Sequence, residues 1–250
     1  MKKIILILCL APLFANAQST SSGDSTIYRS AIKDAMYPQE DHAYDKLIPI
    51  TKKNPNLIWK TIDCNEYVLM VSWKGDDSYY RPYLSPDSTF YPVGGWPIWV
   101  SAAPQLLQRM KTEKYTDADR RLKELLGLPP NSQYNYFVEF WVKTDDLFRP
   151  CPDNEITDTQ CDVCFPENVD STYKAWVNSS RIDRYYPCDL YDQYPWTALG
   201  YTYDWNINNK SHVGLSEFVI GKNSKVKIAA IYTTEEYLQL NNVIELKGER

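Results

Sequence analysis

The chain has little of what most recognisable sites are built from. Its 250 residues include 2 histidines and 9 glycines. His42 and His212 lie far apart and no His-Glu-x-x-His occurs, so a histidine-based zinc centre has no support. With glycine this scarce and no phosphate-cradling glycine loop, a nucleotide site is equally unsupported. No Gly-x-Ser-x-Gly marks a nucleophile. Lys and Arg number 27 against 32 Asp and Glu, a net charge of −5, and there is no lysine-rich block. Nucleic acid and anionic lipid therefore find no electrostatic footprint. Beyond the N-terminus no apolar run approaches the roughly eighteen residues of a membrane span.

The N-terminus is the exception. "MKKIILILCLAPLFANAQ" has a basic start at Lys2 and Lys3, an apolar run from Ile4 to Phe14 and a small-residue cleavage site at Ala15 to Ala17. That is the layout of a secretory signal peptide over residues 1–17. Cys9 suggests a lipid anchor, but Leu8 stands where a small residue is required. The expectation is an exported protein, periplasmic or extracellular. A polar tether over 18–26 ("QSTSSGDST") would precede one domain over 27–250.

Five cysteines follow the leader: Cys64, Cys151, Cys161, Cys164 and Cys188. The last four sit in a segment rich in Asp, Pro, Asn and Thr, which in an exported chain reads as two disulfides stapling a loop that has little apolar surface to bury. Three pairings are open. Cys151–Cys161 with Cys164–Cys188 is sterically comfortable, whereas bridging within Cys161-Asp-Val-Cys164 strains a small ring. A redox role is disfavoured by the flanking acids, which raise a thiol's pKa, and a zinc cage by export. Calcium on Asp153, Glu155, Asp158 and Asp162 lacks the glycine and terminal glutamate of an EF-hand loop. No metal and no cofactor is expected. Cys64 is left over, and its place before an apolar strand suggests a buried thiol.

The rest reads as α+β, mainly an antiparallel sheet with several short helices packed on it and a disulfide-stapled loop region. Helical spacing covers 27–37 and ends at Pro38. Residues 65–75 and 134–144 are strand-like, and 76–96 is a long loop broken by Pro and Gly. Residues 96–115 read as a strand entering a helix, with Ser101 as its cap. "TDADRRLKELLGLPP" reads as a helix capped by Thr116 and stopped at Gly127. "STYKAWVNSS" is a further short helix. Three strand-like runs, "LGYTYDWN", "VGLSEFVIG" and "SKVKIAAIY", precede a capping box at Thr233 to Glu236.

Two glutamates stand alone in apolar strands, Glu139 and Glu217, where an unpaired charge costs several kcal/mol. Together they suggest a carboxylate pair with split pKa values, the equipment of a glycan hydrolase, with Asp204 as a third acid. The plainer reading gives each a hydrogen-bonding partner, Arg81 and Arg149 being available. Aromatics supply the other candidate site. There are 20 Tyr and 8 Trp against 7 Phe, and Tyr201, Tyr203 and Trp205 alternate onto one strand face. Exposed, that stripe would stack a sugar or peptide; covered, it is core.

"LLGLPPNSQYNYFVEFWVKTDDLFRPCPDNEITDTQC", "YPWTALGYTYDW" and "HVGLSEFVIG" resemble a group of exported bacterial proteins to which no activity is attached. The resemblance implies export and transfers no site residue. The functional expectation is a non-enzymatic binding domain of the cell envelope or exterior. It would hold a protein or glycan through Tyr201, Tyr203, Trp205, Trp96 and Trp99. A carboxylate-based glycan hydrolase is the alternative.

Overall fold

The computed structural model describes residues 22–85, 87–186 and 193–240. The signal-peptide expectation and Cys188 lie outside them. In chain order the strands are β1 (Trp59–Ile62), β2 (Asn65–Lys74), β3 (Tyr91–Pro92), β4 (Ile98–Ala102) and β5 (Tyr136–Lys143). They continue as β6 (Leu147–Phe148), β7 (Tyr201–Tyr203), β8 (Val213–Ser216), β9 (Phe218–Ile220) and β10 (Lys225–Thr233). The α-helices are α1 (Ser22–Ala35), α2 (Ala103–Thr112), α3 (Ala118–Leu125), α4 (Ser171–Ser179) and α5 (Thr234–Gln239). This is the α+β arrangement expected, a curled antiparallel sheet with short helices and one stapled loop.

β2 and β5 form the spine, paired from Tyr67↔Lys143 to Lys74↔Tyr136. Their β-branched and aromatic residues suit a strand covered on both faces. Leu69, Val71, Trp73, Phe137 and Trp141 pack one way, against Leu106, Leu107 and Met110 of α2 and Tyr237 of α5. Val68, Met70, Val138, Phe140 and Val142 pack the other way, on Phe218, Ile220, Val226 and Ile228. Strand order is β3-β10-β5-β2-β4-β9-β6, with β1 also on β2, while β7 and β8 form a separate two-stranded sheet.

One edge of β2 carries β5 throughout, and the other is divided. β1 takes Asn65 to Val68, and β4 takes only Met70↔Ala102 and Val71↔Ser101. Beyond Val71 the two strands part, and β4 pairs instead with β9 through Ile98↔Ile220, Trp99↔Val219 and Val100↔Phe218.

Several local expectations need correction. The helix expected at 27–37 begins at Ser22, so residues 22–26 are helical rather than a tether. Tyr28, Ala31 and Ile32 anchor it on Tyr203 and Trp205, and its Asp24 pairs with Arg120 at 2.9 Å. Asp117, not Thr116, caps α3 by accepting from the Arg120 amide, and Ser101 remains within β4 while Ala102 precedes α2. Gly127 does end its segment in the left-handed region, at φ 64°. Cys64 is exposed rather than buried. It shares with Asp63 a two-residue turn of positive φ between β1 and β2, and the tip of such a hairpin faces water.

The stapled loop holds a Cys151–Cys161 disulfide. Cys164 is exposed and bridges no described cysteine. Arg149, fully buried, ties the loop from inside by donating to Asp158 at 2.6 Å and to the carbonyls of Gln160, Ile48 and Asp158. Among the described residues no group of three or more His, Cys, Asp or Glu is placed to hold a metal, and no helix is long and apolar enough to cross a membrane.

Candidate functional site

Where β2 and β4 separate, a cavity of about 330 Å³ opens. Val71 to Lys74 form one wall, and Pro97 with Trp99 to Ser101 the other. Further lining comes from after α4, where the helix continues as a π-helical turn over Ser180–Tyr185, from Tyr194 to Trp196, and from Leu126 to Leu128, Tyr134, Tyr203 and Glu217. π-Turns widen a helix and re-aim its side chains, and they recur at functional sites. This one delivers Arg184 and Tyr185.

The aromatic side chains enclose the space as a cage. Trp99 meets Tyr185 edge-on at 5.4 Å between centroids and Trp196 at 6.0 Å, and Tyr185 lies 4.9 Å from Trp196. Tyr134 and Tyr194 complete it and share a hydrogen bond. The Trp99 indole N–H is buried without a hydrogen-bond acceptor among the described residues. Trp96, 74 % exposed, stands outside with the Arg184 guanidinium 5.0 Å over its ring.

Two ionisable groups in the wall are unusual. Glu217 falls between β8 and β9, where the chain leaves the two-stranded sheet for the large one, and its amide donates to the Gly200 carbonyl at 2.9 Å. Its carboxyl has no hydrogen-bonding or ion-pair partner among the described residues, and desolvation pushes its pKa up to about 8. Tyr185 is close enough to feel its charge. Lys74 ends β2, and burial pushes its pKa down to about 8, with no carboxylate opposing the shift. A neutral acid and a partly neutral amine at pH 7 are poised to exchange protons or hydrogen bonds with whatever occupies the space.

The other expected site residues lie elsewhere. Glu139 is fully buried in β5, in register with Val71 on one side and Ala230 on the other, and is not part of the cavity wall. Asp204 is fully buried and held bidentately by Arg121 at 2.9 and 2.7 Å, with Asn209 donating at 2.9 Å. The three acids do not converge. Arg149 and Arg81, the suggested partners for the glutamates, bind Asp158 and Asp77.

The exposed stripe is also corrected. Trp205, 1 % exposed, donates to the Leu128 carbonyl; the Tyr203 hydroxyl donates to Asp34 at 2.7 Å and that of Tyr201 to the His42 carbonyl at 2.8 Å. The reason is α1, whose apolar face covers Tyr203 and Trp205. Tyr203 borders the cavity only as part of its wall. His212 stacks on Tyr203 at 4.8 Å in a structural role. Of the five aromatics expected to meet a ligand, Trp99 and Tyr203 line the cavity, Tyr203 with its hydroxyl held by Asp34, and Trp96 stands beside Arg184 at its rim.

A second cavity, of similar volume, lies beside Lys114, Asp117, Arg120, Arg121, Glu124 and Asn206. Its arginines are already matched: Arg120 with Asp24 and Glu124, and Arg121 with Asp204 and with Glu113 at 2.6 Å. In the aromatic cavity Lys74, Arg184 and Glu217 form no ion pair among the described residues.

The sheet and cavity thus define a small antiparallel α+β protein with one aromatic, ionisable cleft set in a sheet that divides. No family model, no curated protein and no solved structure matches the chain. The resemblance to exported bacterial proteins accordingly brings no family assignment.

Proposed function

We propose that this is a non-enzymatic exported protein of the cell envelope or exterior that holds a glycan or protein side chain in the aromatic cavity between β2 and β4. One observation carries the reading: aromatic faces and unpartnered polar groups converge on the same space. An unsatisfied buried polar group costs about 1–3 kcal/mol. Trp99 Nε1, the Glu217 carboxyl and the Lys74 ammonium all bear on this cavity. Ligand sites are commonly apolar clefts with a few such groups, and about 330 Å³ is at their small end. The disulfide fits an oxidising compartment.

The hydrolase alternative has less behind it. Glycoside hydrolysis ordinarily needs two carboxyls roughly 5–9.5 Å apart, and Glu217 is the one acid in the cavity wall. The experiment is retention of the mature protein on glycan and peptide arrays, read beside its intrinsic tryptophan fluorescence. Trp99→Ala should remove retention while leaving the thermal unfolding curve cooperative. Retention unchanged in that variant would move the site elsewhere.

A further inference from the structure

Cations inside this protein are paired as a rule. Arg121 has Asp204 and Glu113, Arg149 has Asp158, and Lys123 has Asp119 at 2.5 Å. The aromatic cavity breaks that rule. Among the described residues no carboxylate pairs with Lys74, which lies in its wall, and Arg184 at its rim meets the rings of Trp96 and Tyr185, at 5.0 and 5.9 Å, without an ion pair. The one acid in the wall, Glu217, is kept largely protonated at neutral pH by its loss of solvent. Among the described residues the cavity thus presents two cations that no carboxylate pairs with, within a chain of net charge −5.

We infer that the ligand is an acidic sugar, a glycan unit whose ring carboxylate lies toward Lys74 and whose ring face lies on the Trp99–Trp196 cage. This rests on the binding reading above and narrows it. Each part of such a unit finds a counterpart. Its carboxylate supplies the counter-charge that Lys74 lacks among the described residues, and such a pairing discriminates against ligands without the charge. Its C–H face stacks on indole. Its hydroxyls meet the Trp99 N–H as donor, the protonated Glu217 carboxyl as donor and acceptor, and the Tyr185 hydroxyl. An aromatic or aliphatic acid would use the cage and the lysine but leave those polar groups unsatisfied. A neutral sugar would leave the lysine unpaired. Arg184, exposed over Trp96, extends the same pairing of cation and ring outward, as a polymer with more than one acidic unit would require.

The test is calorimetric titration of the mature protein with trigalacturonic acid, with a glucuronate-bearing trisaccharide, and with the carboxyl-reduced neutral form of each. At least one acid form should bind at least about tenfold more tightly than its neutral counterpart, and added salt should weaken it. Lys74→Met should remove at least about that factor for the acid form and leave the neutral form unchanged, while Lys74→Arg should restore part of it. Thermal unfolding followed in parallel separates lost binding from lost fold. Equal binding of acid and neutral forms, abolished by Trp99→Ala, would overturn the acidic-sugar inference and leave the cavity reading standing. Binding of none of the four, alongside array retention that depends on Trp99, would do the same. Binding of the acid forms unaffected by both Lys74→Met and Trp99→Ala would overturn both.

Discussion

Replacing Glu217 by Gln should make this protein more stable, and only above a certain pH. Glu217 is half-buried as a residue, its carboxyl has no donor among the described residues, and its pKa is raised from 4.5 to about 8 by burial. In the unfolded chain it ionises near 4.5. Between that pH and about 8 the unfolded form gains from ionisation and the folded form does not. Its contribution is therefore intact below pH 4.5, falls steadily to about pH 8, and is flat beyond. Full linkage over that window is on the order of 5 kcal/mol. The residue keeps some contact with solvent, which brings the expected figure down to about 2–3 kcal/mol.

Gln has the shape of a protonated Glu and cannot ionise, so the variant escapes the loss. Urea unfolding with the disulfide intact, at pH 4.5 and pH 8, reads both proteins. The variant should match the native chain at pH 4.5 and exceed it by about 2–3 kcal/mol at pH 8. The other cavity groups do not blur the window. Lys74, its pKa lowered to about 8, changes stability above that pH, where stability rises until its unfolded value near 10.5. Tyr185 is pushed well above the usual tyrosine range, mainly by burial. Parallel pH profiles for the two proteins would refute the claim that Glu217 is held without a partner. A group kept at the expense of stability is what a binding role leads one to expect.

Asp204→Ala removes the bidentate partner of Arg121 but leaves it Glu113 and Glu124, and should lower stability by about 1–3 kcal/mol in the same urea assay; a loss under about 0.5 kcal/mol would show that the two glutamates suffice to hold the guanidinium. Gly200→Ala would set a Cβ 2.7 Å from Arg149 Cδ and 2.8 Å from Cys161 Sγ at a φ of 76°, and should cost roughly 2–5 kcal/mol, read as an early urea midpoint. Cys151→Ser paired with Cys161→Ser opens a loop of 10 residues' separation and should cost about 3 kcal/mol. Peptide mapping of the native chain should recover Cys151 and Cys161 in one non-reduced fragment.

Much of the framework was legible because its causes are local. The apolar runs at 65–75 and 134–144 form β2 and β5, a capping box opens α5, and a left-handed glycine follows α3, each set by residues a few positions apart. The candidate site was legible only in fragments. "VGLSEFVIG" read as one strand with Glu217 on a face, whereas the strand breaks at Glu217 because its halves join different sheets. Glu139 has much the same local context as Glu217, yet it sits closed inside β5 while Glu217 meets the cavity. Tyr201, Tyr203 and Trp205 carried a fair sequence signal for a stacking platform, and α1 covers Tyr203 and Trp205.

By itself, then, the sequence determined which segments extend or coil, which faces are apolar, and that Cys151 and Cys161 lie in a segment with little else to hold it. Only the tertiary structure decided where β4 leaves β2 for β9, and hence that Lys74, Trp99, Tyr185, Trp196 and Glu217 surround one space. The physical reason is that propensity and patterning act over a few residues. A cavity is the place where long-range strand pairing stops, and no residue carries that information alone.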